Sequence, residues 1–286
     1  MSPVALALVL VAAVAHAAWN LASRGVRADA SVFVFAYATW SAALWLPVAA
    51  VVWALDPQRP TWAWLLAPVV SGALHNVYGT VLQRGYHSGD LNLVYPVARG
   101  VGPMLTLVVA VSVLGERPSL LGGLGAVIIV AGIVVIAFPA AGLPRDGLRR
   151  SVGWGAATGA TIAAYTLWDA YAVTDLRVPP LSYFALNLVA QVLTLAPWTL
   201  RRLPAVRAVW REQRGPTATV AVLSPLAYVL VLEAMRMAPV ALVASTRETS
   251  IVIGSLLGTR LFGEPGGRRR GLGAVIVLGG IALVAL

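Results

Sequence analysis

The chain has 286 residues, a mean hydropathy of +0.82 and only 11% charged residues, against about 25% in soluble domains, so an ordinary soluble fold is excluded. Its formal charge is +10 and all 21 basic residues are Arg. They sit mostly in short stretches between apolar runs, which reads as topology anchoring and not as a nucleic-acid footprint. There is no Cys, which excludes a disulfide framework, a thiolate metal site and a cysteine nucleophile.

The first apolar run, Val4 to Val14, leads into Ala15-His16-Ala17, a sequence like a leader cleavage site. No Lys or Arg precedes Arg24, so the basic region of a secretory leader is missing and the segment reads as a retained first span. Ten apolar spans follow one another, at about 3–22, 31–54, 61–83, 92–113, 119–140, 152–172, 181–200, 216–236, 239–262 and 268–286. Their length suits a bilayer. They must be helical, since lipid cannot satisfy an open backbone and no alternating barrel pattern is present. The polar stretch 201–216 reads as a loop. The segment 141–151, with Gly, Pro, Asp and three Arg, reads as a linker between residues 1–140 and 152–286.

Those two parts are copies of one unit. Gly123 to Ile133 reads GLGAVIIVAGI and Gly271 to Ile281 reads GLGAVIVLGGI, at an offset of 148. The same offset maps Arg99 onto Arg247 and Gly115-Glu116 onto Gly263-Glu264. His16, Trp19 and Asn20 align with Tyr165, Trp168 and Asp169 at 149, and Tyr78 aligns with Tyr228 at 150. Five spans per copy is an odd number, so the second copy enters the membrane from the other side. The predicted fold is an all-α membrane protein of ten transmembrane helices in two inverted five-helix repeats. Loops after odd-numbered spans carry 14 Arg and loops after even-numbered spans carry 4, which places the odd loops in the cytoplasm and both termini outside.

Two five-span copies, each with a Gly-Glu turn and a GLGAVI-type last span, together with His16-Ala17-Ala18-Trp19-Asn20 in span one, resemble the drug/metabolite transporter superfamily. The similarity is greatest to its EamA-type ten-span members. The resemblance covers nearly the whole chain. It implies secondary transport of small organic metabolites or drugs, often export, through a central cavity between the repeats. It also implies cytoplasmic termini, the reverse of the arginine count. The four-span multidrug relatives use a membrane-embedded Glu in span one, and this chain has no acid there. The expectation is a multi-pass protein of a bacterial inner membrane, a monomer or homodimer, with a small metabolite and the bilayer as partners, no nucleic acid, no metal and no cofactor. Two other readings stand beside transport: a membrane-embedded enzyme acting on a lipid-like or polar substrate, and a channel or assembly subunit.

Charges inside a span cost about 2.5–3.5 kcal/mol each on insertion scales, so they face the bundle interior and are paired or used. Arg99 lies between Tyr95-Pro96 and Gly102-Pro103, where two prolines permit a broken or kinked helix. Arg247 is its repeat mate, followed by Glu248. A guanidinium binds a carboxylate or phosphate bidentately, so both arginines, with Tyr95, His16, Asn20 and Trp19, are candidate contacts for a small anionic or zwitterionic substrate, amino acid-like ones included. The bland alternative is internal pairing of Arg247 with Glu248 or Glu233, and of Arg99 with Asp169. Asp169, Glu233 and Glu248 are the interior acids that proton coupling would use. His75, Asn76, Asn187 and Gln191 read as interhelical hydrogen-bonding groups. Trp168 reads as packing, and Trp62, Trp64, Trp198 and Trp210 as interfacial anchors. Glu116 and Glu264 read either as gate contacts or as caps of the helix that follows each. Gly155/Gly159 and Gly254/Gly258 read as close-packing faces. No catalytic residues are expected: the three His show no metalloprotease spacing and no nucleophile elbow occurs.

The arginine count makes a direct prediction. A Cys introduced at Ala208, in the arginine-rich 201–214 stretch, should resist a membrane-impermeant thiol reagent in intact cells. Rapid labelling would establish the opposite orientation.

Overall fold

The computed structural model describes the backbone of residues 1–23, 26, 28–57, 59–88, 91–137, 145–262 and 267–286. Among these residues every regular element is helical. The elements are α1 (Pro3–Ser23), α2 (Ala30–Leu55), α3 (Ala63–Ser88), α4 (Leu91–Ser112), α5 (Leu120–Ala137), α6 (Arg145–Thr174) and α7 (Pro180–Thr199). A 3₁₀ turn over Leu200–Arg202 leads to α8 (Leu203–Glu212), α9 (Arg214–Met235), α10 (Val240–Arg247), α11 (Thr249–Phe262) and α12 (Gly267–Ala285). Among the described residues five stretches are long and apolar enough to cross a bilayer: Pro3–Ser23, Ser31–Leu55, Ala63–Leu82, Pro180–Glu212 and Arg214–Met235. Large apolar side chains such as Leu55, Leu65, Leu193, Trp198 and Val275 lie exposed on the outside, as a lipid-facing surface requires.

Four expectations are corrected, the last of them, on Trp64, below. The break does not fall in span four: α4 runs unbroken past Pro96 and Pro103, while span nine is divided into α10 and α11. The interruption falls at Glu248 (φ −67°, ψ −5°), whose N–H donates to the carbonyls of Ser245 and Thr246 instead of continuing the α-helical ladder. The stretch 201–216 is not a loop either. Val206, Val209 and Trp210 share one helical face, and that face packs on Val32, Phe35 and Ala36 of α2, with the Trp210 indole donating to the Ala36 carbonyl at 3.2 Å. Third, a Cβ at Gly254 would meet nothing within 4 Å, so that glycine is no packing face; Gly258 has a side-chain position outside the described residues.

Contacts between helices occur in swapped pairs. The packing of α1 on α9 has its mate in α6 on α3, and that of α4 on α6 has its mate in α10 and α11 on α1. The self-mated pairs are α5 with α12, α2 with α7 and α4 with α10. Glycines report the directions. A Cβ on Gly125 would meet Gly280 and Val284, and one on Gly132 would meet Gly273 and Val277, so α5 and α12 run antiparallel. A Cβ on Gly155 would meet Val94 and Val97, and one on Gly159 would meet Ala98 and Val101, so α4 and α6 run parallel.

The two ends of the bundle differ. At one end Val9, Trp64, Val173, Val178, Tyr183, Leu232, Met235 and Val240 form a single buried cluster that draws on α1, α3, α6, α7, α9 and α10. We call this the plug end. Trp64 belongs to this core and is not an interfacial anchor. The opposite, arginine-rich end holds α8, with Arg201, Arg207 and Arg211 exposed. There Asp29 caps α2 by accepting from the Ser31 N–H at 2.9 Å and pairs with Arg202 at 3.1 Å. The hydrogen bond from the Ser31 hydroxyl, above all, holds the Asp29 carboxyl below its usual range. The apolar cluster at this end joins α2 and α7 to α8 and includes no described residue of α1, α3, α4, α6 or α9.

The Gly125 site is unforgiving, because the nearest atom to an added Cβ is the Gly280 carbonyl oxygen at 2.6 Å. Gly125→Ala should lower the stability of the detergent-solubilised protein by about 1–3 kcal/mol. Gly279→Ala, whose Cβ meets nothing within 4 Å, should change it by less than about 0.5 kcal/mol. Thermal unfolding of the two variants checks the contrast.

Candidate functional site

A cavity of about 140 Å³ lies at the centre of the bundle, lined from α1, α2, α3, α4, α6, α7, α9 and α10. Both copies contribute. Arg99 of α4 and Arg247, the last residue of α10, both line it, together with His16, Trp19, Tyr165, Gln191 and Tyr228.

The two arginines share one carboxylate. Arg99 Nη1 donates to both oxygens of Glu248, at 3.3 and 3.1 Å. Arg247 Nη2 donates to Glu248 Oε1 at 3.3 Å. Glu248 is fully buried, with Arg99 and Arg247 only 8% and 5% exposed, so all three charges are desolvated. Arg99 Nη2 also lies 3.4 Å from His16 Nε2. The arrangement departs from the repeat. Arg99 and Arg247 are mates, but the mate of Glu248 is Gly100. The carboxylate therefore comes from one copy only, and among the described residues this part of the site pairs two cations with one anion.

Asp169 is separate from this group. Its carboxylate accepts from the Tyr183 hydroxyl at 2.6 Å and the Tyr228 hydroxyl at 2.5 Å, and His75 Nε2 is 4.0 Å away. The expected Arg99–Asp169 pair thus gives way to Arg99–Glu248 across the copies. Around Asp169 the rings pack closely. His75 stacks on Tyr165 with centroids 4.3 Å apart, and Phe184 lies 4.9 Å from Tyr228. One part of the cavity therefore offers guanidinium donors, and another offers aromatic faces backed by a buried carboxylate.

The other expected site residues divide. Trp19 lines the cavity and meets His16 edge-on at 4.8 Å. Its indole N–H, like Arg247 Nε, is buried with no hydrogen-bond partner among the described residues. Asn20 turns away and donates to the His16 carbonyl of its own helix at 2.9 Å. The side chain of Tyr95 lies outside the described residues. Glu233 is not an interior acid: it sits near the end of α9, 39% exposed, and pairs with Arg236 at 3.1 Å. Trp168 packs with its indole on the Ala67 carbonyl. Asn76 bonds Thr194, Asn187 bonds Ser71 and Gln191 bonds Asn187, all of them interhelical or intrahelical ties. Sequence reading passes over Tyr165, Tyr183 and Phe184 as site groups; the repeat alignment of Tyr165 with His16 is the available signal for the first.

Glu116 is a cap, but not of the helix that follows it. Its two carboxylate oxygens accept from the Val240 and Ala241 N–H groups, at 2.7 and 3.1 Å. It thus caps α10, in the other copy. Gly115, at φ +69°, supplies the left-handed turn that aims it there. Glu264 lies outside the described residues.

The EamA-like transporter family matches residues 3–138 and 149–286. The chain belongs to this family. It is therefore a membrane transporter of the drug/metabolite transporter superfamily and an integral membrane protein. A solved structure described only as "Crystal structure of protein" is similar over 99% of this chain and 98% of that one, with a TM-score of 0.74 and 16% identity, one of 29 matching chains. At that identity the likeness speaks for the fold alone. No curated protein matches.

Glu248 compensates two buried cations, so its loss should be costly. Glu248→Ala should destabilise this EamA-family protein by about 3–5 kcal/mol, as when one partner of a buried ion pair is removed. Glu233→Ala, which breaks a surface pair, should cost about 1 kcal/mol or less. Unfolding in detergent measures both.

Proposed function

We propose that this chain is a ten-span secondary transporter whose two five-helix copies are inverted, and that it moves a small organic metabolite bearing a carboxylate or similar anionic group by alternating access. The antiparallel run of α5 against its mate α12 supports the inversion. The observation that carries the substrate reading is the charge imbalance at the cavity: two buried guanidinium groups share one carboxylate, and Arg247 Nε and the Trp19 indole keep donors unused among the described residues. Buried donors of this kind point to a ligand acceptor. A planar carboxylate matches the guanidinium fork.

A zwitterion fits better than a bare anion. Its carboxylate would meet Arg99 and Arg247, and its ammonium would face the Tyr165, Tyr228 and His75 rings, with Asp169 behind them. The small cavity suits a ligand of amino acid size. The direction of transport is proposed as export, after the habit of the family. If transport is proton-coupled, Glu248 and Asp169 are the interior acids placed to serve, and Glu233 is not.

Reconstituted vesicles test this reading with a panel of amino acids, organic acids and neutral metabolites. Flux should saturate for a carboxylate-bearing compound, and Arg99→Ala should weaken its apparent affinity by about 30-fold or more, since a desolvated charge contact is worth about 2–5 kcal/mol. Arg99→Lys should rescue poorly, because it lacks the bidentate fork. A changed product would point to an enzyme and unsaturable ion current to a channel. Normal flux by Arg99→Ala would end the anionic-substrate reading.

A further inference from the structure

The cap that Glu116 places on α10 is unusual in three respects. It crosses from one copy to the other. It uses both carboxylate oxygens on two consecutive backbone N–H groups. And the helix it holds is a short, fully buried rod: every residue from Val240 to Arg247 is buried, and its length is about 12 Å. At Glu248 the α-helical ladder of span nine is interrupted for one residue, which marks the end of the rod. Its two ends are fixed by side chains. At the plug end Glu116 holds the N-terminus, favoured by the helix dipole. At the cavity end, Glu248 at the interruption binds Arg99 and Arg247.

The position of the rod decides which end of the cavity is shut. Val240 and Val243 belong to the buried plug cluster, together with residues of α1, α7 and α9. Val231, Leu188 and Phe184 of that cluster also line the cavity. Among the described residues no comparable cluster spans the opposite end. Moving the α10 N-terminus thus removes a wall of the plug and shifts Arg247 at the same time.

We infer that Glu116 is a cross-copy latch: its carboxylate holds α10 in the arrangement that closes the cavity at the plug end, and release of the α10 N-terminus opens that end. The inference rests on the alternating-access reading above. Glu116 is not among the residues that line the cavity; it is a positioning residue that acts through α10. Gly115-Glu116 and Gly263-Glu264 are repeat mates, so the same Gly-Glu turn is written into both copies.

The cysteine-free chain allows a test that needs no substrate. Val231→Cys places a single thiol in the plug wall, and Tyr37→Cys, in a separate variant, places one where α2 lines the cavity. A membrane-impermeant maleimide is applied to intact cells and to inside-out vesicles. Met237→Cys and Ala205→Cys, at two exposed positions, identify the plug face and the arginine-rich face. With Glu116 intact, the thiol at position 231 should be protected from the plug face. Glu116→Gln and Glu116→Ala should raise its labelling from that face by roughly tenfold, the population shift that a charge-assisted hydrogen bond is worth. Labelling at position 37 from the arginine-rich face should fall in step. No change at position 231 would overturn the latch. So would a rise at both positions from both faces, since that pattern means the cap merely stabilises the fold. The labelling shift with no flux for any metabolite would leave the latch standing and sink the substrate reading; unchanged labelling with normal flux would do the reverse.

Discussion

Three charges buried together at the centre of an apolar bundle constrain everything around them. Arg99 and Arg247 come from equivalent places in two copies of one sequence, and a single carboxylate, Glu248, compensates both. Neither arginine could stay desolvated alone. The ion group therefore requires the copies to meet, and among the described residues it leaves Arg247 Nε without a hydrogen-bond partner.

The departure from symmetry is as informative as the symmetry. Contacts between copies come in swapped pairs, yet Glu248 has Gly100 as its mate, α10 ends where α4 continues, and one end of the bundle carries a buried apolar plug that the other lacks among the described residues. Under the proposed alternating-access reading, inverted copies have to break their symmetry at every moment, since a cavity open to both faces would leak. The plug, the α10 rod and the Glu116 cap are the places where this structure does so.

Much of the fold is legible in the sequence, because bilayer-spanning runs and a repeat at one fixed offset are long-range signals that need no knowledge of packing. The two arginines are legible too, since charge in an apolar run is costly wherever the run folds. Pairing is harder to read. Arg99 and Glu248 lie 149 residues apart, and which acid an arginine meets depends on helix rotation, which hydropathy does not set. The prolines around Arg99 point to a break that occurs instead at Glu248, because neighbouring helices tolerate a proline inside a span. Glu233 and the 201–216 stretch mislead for a shared reason. Both lie at the edge of an apolar run, where one turn of helix decides between interior and surface.

The most direct test of the shared-carboxylate centre is a double-mutant cycle on Arg99 and Glu248, read as unfolding stability in detergent for Arg99→Ala, Glu248→Ala and the pair. Removing Glu248 strands both arginines, whereas removing Arg99 leaves the Glu248–Arg247 pair, so Glu248→Ala should cost less when Arg99 is already gone and only one buried cation is stranded. A coupling energy of about 2–3 kcal/mol is therefore expected, at the upper end for residues in direct contact. Additivity of the two substitutions within about 0.5 kcal/mol, as for distant sites, would contradict the account.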